Sequence, residues 1–135
     1  MQERQGFTLL ELLIVVVILG VLALIAAPSL LNAADQAKDA TVKANISAAA
    51  SSVTSRFALN TTDTATTIAD DIVTELNGEN KNPVNVADPA FATSGTTPGS
   101  VVLAADDAAD SIVITGYGKK GDLLVTKTVK APASN

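Results

Sequence analysis

The chain has 135 residues, of which 47% are hydrophobic, 17% charged and only 3% aromatic, and its formal net charge is −5. It contains neither cysteine nor histidine, which excludes disulfides, thiolate nucleophiles, zinc–thiolate sites and imidazole catalysis. The negative charge disfavours broad nucleic-acid binding, which relies on clustered cations. Since no nucleophile–base pair can be named, we expect a protein that is not an enzyme and that needs no cofactor.

The first predicted element is a long apolar helix. Residues 12–34 carry no formal charge and are mainly Leu, Ile, Val and Ala. As a helix rising 1.5 Å per residue they would span roughly 35 Å, enough to cross a bilayer core of about 30 Å. The alternatives are a cleaved secretory signal, a plain signal anchor and a buried core helix. A signal has a shorter apolar stretch, and the rest of the chain is too small to cover such a rod.

Two details at the start of this helix fit none of those alternatives. Glu11 lies just inside the apolar residues, where a carboxylate is costly and usually marks a function. Its simpler role would be to complement the positive end of the helix dipole. Residues 1–6 form a short polar leader that ends in Gly6 beside Phe7. Gly6 has no side chain, so it suits a protease that cuts before the apolar segment and leaves that segment in place.

The sequence GFTLLE at positions 6–11, followed by an apolar run, resembles the class III leader of type IV pilins and the related pseudopilins. The resemblance implies that a prepilin peptidase cuts between Gly6 and Phe7 and methylates the new amino group of Phe7. It also implies that Glu11 pairs with the amine of a neighbouring copy during assembly. The expected partners are other copies of the chain, the peptidase, the assembly machinery and, before assembly, the cytoplasmic membrane.

Gly20 and Pro28 lie inside the same predicted helix. Pro removes an intrahelical hydrogen bond, and Gly lowers helix propensity by up to about 1 kcal/mol. The resemblance implies that the segment between them loosens as subunits pack in a filament. Close packing at Gly20 and a static kink at Pro28 are the alternatives.

Beyond the membrane the helix is predicted to continue to Phe57–Leu59, with apolar residues three and four apart. These positions are Val42, Ile46, Ala49, Ala50, Val53 and Phe57. The polar residues predicted on other faces are Lys38, Asp39, Lys43, Asn45 and Arg56. The predicted organisation is therefore a leader (1–6), a membrane and assembly half-helix (7–34), an amphipathic half-helix (35–59) and a globular head (60–135).

In the head, a short helix is predicted around residues 68–76, capped by a threonine and ended by Gly78. Residues 80–100 are predicted to be a surface loop with a short extended piece at 83–86. Strands are predicted at 101–103, 111–117 and 122–129, the last two as a hairpin around 118–121. The predicted fold is α+β, with the long helix packed on a small antiparallel sheet of three to four strands.

Charged groups in the head suggest two further roles. Asp106, Asp107 and Asp110 could donate oxygens to Ca²⁺, but no glycine-interrupted ligand pattern is present, so we expect a solvated acidic turn and no metal site. Lysines cluster near the C-terminal end and could contact DNA or an anionic surface when repeated along a filament. The simpler expectation is a charged hairpin that discourages edge pairing. These lysines are Lys119, Lys120, Lys127 and Lys130.

Asn45 and Asn60 each begin a sequence that matches the glycosylation sequon. Such short matches are frequent by chance, and Asn60 is predicted to be the more accessible of the two.

The predicted function is that of a structural subunit of a type IV pilus, which serves adhesion, surface motility or DNA uptake. It would be a single-pass precursor in the cytoplasmic membrane and then part of an extracellular filament. One alternative is a pseudopilin of a type II secretion or competence machine. The other is a membrane-anchored binding module that never polymerises.

Overall fold

The computed structural model describes residues 6–59 and 62–132. These residues form two helices and four strands, which confirms the predicted α+β class. The elements are α1 (Leu9–Leu59), α2 (Ala65–Glu79), β1 (Phe91–Ala92), β2 (Val101–Asp106), β3 (Ser111–Tyr117) and β4 (Leu123–Lys130). Contacts divide the chain into two compact units, Met1–Asp35 and Gln36–Asn135. Most of the predicted leader (1–5) and the sequon residue Asn60 lie outside the described residues.

In the first unit, the apolar part of α1 is exposed along its whole length. Leu9, Leu24 and Leu30 are 83%, 77% and 73% exposed. By length and composition α1 can cross a membrane, and none of its most apolar window is buried. Pro28 lies inside the helix without ending it. These side chains need a cover from outside the chain, because exposed apolar area of this extent is unfavourable in water.

In the second unit, α1 from Gln36 onward supplies one wall of the core. All six apolar positions predicted from the helical spacing are buried, and they share one cluster with residues of α2 and the sheet. Gly116 of β3 lies directly under this helix. A Cβ atom there would overlap Ile46 and lie 2.9 Å from Val42 Cγ1. The glycine therefore lets the helix approach the strand closely.

The prediction for Asn45 in the helical pattern is wrong. It was predicted on a face away from the core, yet only 7% of its surface is exposed. Its Nδ2 has no hydrogen-bond partner among the described residues. Asn45 is separated from Ile46 by one residue step, about 100° around the helix axis, so it lies at the border of the buried face. Burial also makes Asn45 inaccessible as a glycosylation acceptor in the folded head.

Helix α2 begins at Ala65, before the predicted range 68–76, and ends at Glu79, after it. Thr64 is the N-cap, and its side chain accepts a hydrogen bond from the Thr67 amide at 3.2 Å, which confirms a threonine cap. Gly78 does not end the helix, because it keeps a helical conformation and α2 continues to Glu79. The C-cap is Asn80, whose amide and Nδ2 both donate to the Leu76 carbonyl at 2.9 Å.

The sheet has the strand order β1-β2-β3-β4. The β2–β3 and β3–β4 pairs are antiparallel, as predicted. The β1–β2 pair is parallel, with Phe91 opposite Val101, so the prediction of a purely antiparallel sheet is wrong for this pair. The segment between β1 and β2 comes back to the end of the sheet where β3 finishes. There the Gly99 amide donates to the Tyr117 carbonyl, and the Tyr117 amide donates to the Ser100 carbonyl.

The predicted extended piece at residues 83–86 is also wrong. That segment forms bends and turns around Asn82, and the strand of this region is the two-residue β1. Asn77 of α2 pairs with β1 through its side chain, accepting from the Phe91 amide at 2.9 Å and donating to the Phe91 carbonyl at 2.8 Å. The Asn77 side chain thus satisfies the backbone amide and carbonyl of Phe91 on this edge strand. The other edge of the sheet is β4.

Candidate assembly site

The start of α1 is organised by a reciprocal pair of residues, Thr8 and Glu11. The Thr8 amide and hydroxyl both donate to Glu11 Oε2, at 3.0 and 2.9 Å. In return, the Glu11 amide donates to Thr8 Oγ1 at 3.2 Å. This is a capping box, in which the first residue of a T-x-x-E sequence and the glutamate satisfy each other's backbone donors. Glu11 therefore has a structural role at the helix start in addition to its charge.

Both hydrogen bonds from Thr8 reach the same carboxylate oxygen. Within the described residues, no hydrogen bond is made to the other oxygen, Glu11 Oε1. A carboxylate can accept several hydrogen bonds through its two oxygens, so Oε1 can still accept from a group outside the chain. Sequence analysis singled out Glu11 but missed Thr8, although the T-x-x-E spacing carries the signal.

The predicted processing residues lie just before this capping box. Gly6 and Phe7 precede the first turn of α1, and Phe7 is 89% exposed. Among the residues that the structure describes, nothing lies within 4 Å of the position that a Cβ atom on Gly6 would take. The capping box involves only Thr8 and Glu11, both of which follow the predicted cleavage position. It can therefore form in the precursor and in a chain that begins at Phe7.

The predicted flexibility residues, Gly20 and Pro28, are both exposed on α1. With Ala23 and Ala27 they line a shallow hollow in the helix surface. Small side chains let another helix approach closely in a membrane. The arrangement is compatible with close packing at this part of α1 and leaves loosening of the helix as a prediction.

The aspartates of the acidic turn make hydrogen bonds within the head. Asp106 Oδ1 accepts from the amides of Ala108 and Ala109, at 3.1 Å each. Asp107 accepts from the amide and hydroxyl of Thr66, at 2.8 and 3.0 Å, and so joins this turn to α2. Asp110 has a positive φ of 44°. Among residues 6–59 and 62–132, no acidic group of three or more is arranged to hold a metal ion.

The four lysines of the C-terminal region are divided between two places. Lys119 and Lys120 lie at the β3–β4 turn, whereas the other two lie on the edge strand β4. The turn is fixed to α1 because the Lys119 amide donates to Asp39 Oδ1 at 3.0 Å. The lysines therefore do not form one compact patch.

A buried asparagine that sequence analysis missed holds the long loop together. Asn82 is 0% exposed and uses both ends of its amide. Its Nδ2 donates to the carbonyls of Pro89 and Pro98, at 3.2 and 3.0 Å. Its Oδ1 accepts from the amides of Val84 and Asn85, at 2.8 and 3.1 Å. One side chain thus ties together three points of a loop that has no disulfide.

Comparisons with known proteins bear on both the helix and the head. The prokaryotic N-terminal methylation motif family matches residues 1–27. The type II secretion system core protein G of Pseudomonas aeruginosa is 47% identical over 55 residues, which cover only 39% of each chain. The type IV narrow pilus major component PilA5 of Thermus thermophilus is 34% identical over 134 residues, covering 92% of this chain and 97% of the relative. No solved structure matches the chain.

The two relatives resemble different amounts of the chain. The short match covers 55 residues, whereas the match to the pilus component covers nearly the whole chain and so includes the head. The methylation motif coincides with the leader, the capping box and the apolar start of α1, where the GFTLLE sequence already resembled a pilin leader. The chain belongs to the type IV pilin family, as a subunit of the pilus or pseudopilus kind.

Proposed function

We propose that the chain is an abundant subunit of a type IV pilus. It is stored in the cytoplasmic membrane as a single-pass precursor and is cut between Gly6 and Phe7 by a prepilin peptidase. The Phe7 amine is methylated, and the chain then polymerises into an extracellular filament. The observation that carries this proposal is the 34% identity to a pilus major component along nearly the whole chain. The expected work of the filament is adhesion, surface motility or DNA uptake.

The exposed apolar side chains of α1 support a subunit that moves from a membrane into a filament. In the membrane, lipid covers these side chains, and in a filament other copies of α1 would cover them. Moving an apolar helix from lipid into a helix bundle yields little hydrophobic free energy, because lipid tails are as apolar as leucine. Packing of small residues and polar contacts must then supply the preference for assembly.

Glu11 supplies such a polar contact. A carboxylate inside a bilayer costs about 2.5–3.5 kcal/mol at the centre and less near an end. Cleavage before Phe7 creates a cationic amine at nearly the same depth as Glu11. When Glu11 Oε1 accepts from the amine of a neighbouring copy, each charge neutralises the other. Removing one partner of a buried pair typically costs about 3–5 kcal/mol, so the pair favours one axial register.

Mass spectrometry of filaments sheared from cells tests the proposal. The expected subunit lacks residues 1–6 and carries one methyl group on Phe7. In a Gly6→Leu variant, we expect an intact precursor in the membrane and no filaments, because a branched side chain replaces the hydrogen at the predicted cleavage position. Gly78→Ala, in the head, is the matched control and should be processed normally. Filaments whose subunits retain Met1 would refute the proposal.

A pseudopilin is the second candidate, favoured by the 47% identity of a 55-residue stretch to a secretion-system core protein. A pseudopilin would form a short structure confined to the cell envelope. Immunogold electron microscopy against the head separates the two functions. Label along surface filaments is expected for a pilin, and label only within the envelope would establish the second candidate instead.

A further inference from the structure

The two turns that flank β3 lie at opposite ends of the sheet. β3 runs from Ser111 to Tyr117, roughly 20 Å for a strand of this length. Residues 107–110 form the turn before it, and residues 118–122 form the turn after it. Whatever charge these turns carry is therefore presented at two separated ends of one rigid sheet.

The end with the β2–β3 turn is strongly acidic. Thr66, at the start of α2, is hydrogen-bonded to Asp107, so the first turns of α2 lie beside this turn. Lys130, opposite Ser111 in the register, is a cation beside this turn. The exposed carboxylates at this end belong to Asp70, Asp106, Asp107 and Asp110. Leu59, which ends α1 shortly before α2 begins, is 79% exposed.

The opposite end presents a turn that carries two lysines and an apolar side chain. Lys119 and Lys120 are exposed at its tip, and Leu123, directly after the turn, is 61% exposed. Asp122 is the acidic residue within the turn. The tip has a fixed place, because Asp39 of α1 accepts from the Lys119 amide. The two ends are complementary, because one presents two lysines beside Leu123 and the other presents carboxylates beside Leu59.

We propose that the β3–β4 turn of one copy docks on the acidic β2–β3 end of the next copy along a filament. This inference rests on the proposed function, because it requires copies that are packed parallel to one another. Within the second unit, α1 passes from Asp39 at the lysine turn to Arg56, which contacts Asp71 and Glu75 of α2. A copy displaced along this direction brings its lysine turn towards the acidic end of its neighbour. Such head-to-tail contacts repeat without closing into a ring.

Engineered cysteines test this contact directly, because the chain has no cysteine of its own. Lys120→Cys and Ala109→Cys are combined in one chain, and filaments are oxidised before denaturing electrophoresis. The two positions are at opposite ends of β3, too far apart for a disulfide within one head. We expect a ladder of covalent oligomers larger than dimers from the double variant. Each single variant, the matched control, should stay largely monomeric, because the docking joins two different positions.

Filaments of the double variant without a ladder would overturn the docking while leaving the pilin function intact. Strong dimer bands from both single variants would also overturn it, because disulfides between identical positions could then build the ladder without this docking. Failure of the wild-type chain to form filaments would refute the proposed function itself. The three results are therefore distinguishable.

A charge exchange gives an independent test. We expect Lys119→Glu with Lys120→Glu to lower filament mass about fivefold, as the loss of two exposed ion pairs predicts. Asp70→Lys with Ala109→Lys should lower it similarly, and the four changes together should restore it. The control, Lys81→Glu with Lys127→Glu, has the same net charge as the first variant. Its filament mass should stay near wild type, and a fall equal to that of the first variant would contradict the proposal.

Discussion

Asn82→Ala is expected to destabilise the head, because it removes four hydrogen bonds from a fully buried position. The Pro89 and Pro98 carbonyls and the Val84 and Asn85 amides lose their partner together. An unsatisfied buried group costs about 1–3 kcal/mol. Because a surface loop can open and let water replace some partners, we expect a loss of about 2–4 kcal/mol rather than the full sum. That is a large share of the ~5–15 kcal/mol typical of a folded domain.

Thermal unfolding of the full chain in detergent measures this loss. The chain has one tyrosine and no tryptophan, so its fluorescence reports on Tyr117, whose carbonyl accepts from Gly99 of the same loop at 3.0 Å. A loss of this size should lower Tm by about 10–25 °C in a small domain. Asn85→Ala is the matched control, since Asn85 is exposed and bonds only within the loop. Equal Tm values for the two variants would refute the role given to Asn82.

Three further predictions concern the helix start and two glycines. Glu11→Gln keeps an oxygen for the capping box but removes the charge, so we expect a processed, membrane-inserted chain with few filaments; filament yields equal to wild type would exclude charge pairing. Thr8→Val keeps the charge but removes the hydroxyl, and helix content in detergent should fall slightly, as loss of a cap costs about 1 kcal/mol; an assembly defect as severe as that of Glu11→Gln would show that Thr8 does more than cap. Gly116→Ala should destabilise the head by about 1–3 kcal/mol through overlap with Ile46, whereas Gly78→Ala, with open space around it in α2, should stabilise it by up to about 1 kcal/mol. Urea unfolding measures both free energies, and shifts of the same sign would contradict the packing described at Gly116.

The elements with strong local signals could be predicted from the sequence. Helical spacing from Val42 to Phe57 identified the buried face of α1, because one periodic stripe must face one core. The hairpin of β3 and β4 followed from two apolar runs around a glycine-rich turn. The leader sequence predicts Gly6 and Phe7 as processing residues and Phe7 and Glu11 as assembly residues, and it lies within the matched methylation motif; these roles stay predictions.

The features that sequence analysis missed depend on partners distant in the chain. β1 has only two residues, too short for any periodicity, and it exists because β2 and Asn77 pair with it. Asn82 reads as an ordinary loop residue, since its role depends on carbonyls up to 16 positions away. Glycine often ends helices, which is why the sequence predicts a helix end at Gly78, but Asn80 provides the cap instead. Thr8 was missed although its spacing to Glu11 was visible in the sequence.

The capping box at the start of α1 has a consequence for the entropy of assembly. A free glutamate side chain loses rotamer freedom when it is fixed in a contact, at a cost of up to about 2 kcal/mol. In this chain Thr8 already holds one oxygen of Glu11, so most of that ordering takes place when the helix forms. In the assembly proposed above, a subunit in the membrane would therefore carry a preorganised acceptor. The amine of a neighbouring copy would then bind a carboxylate that is already in position, which would lower the ordering cost of assembly.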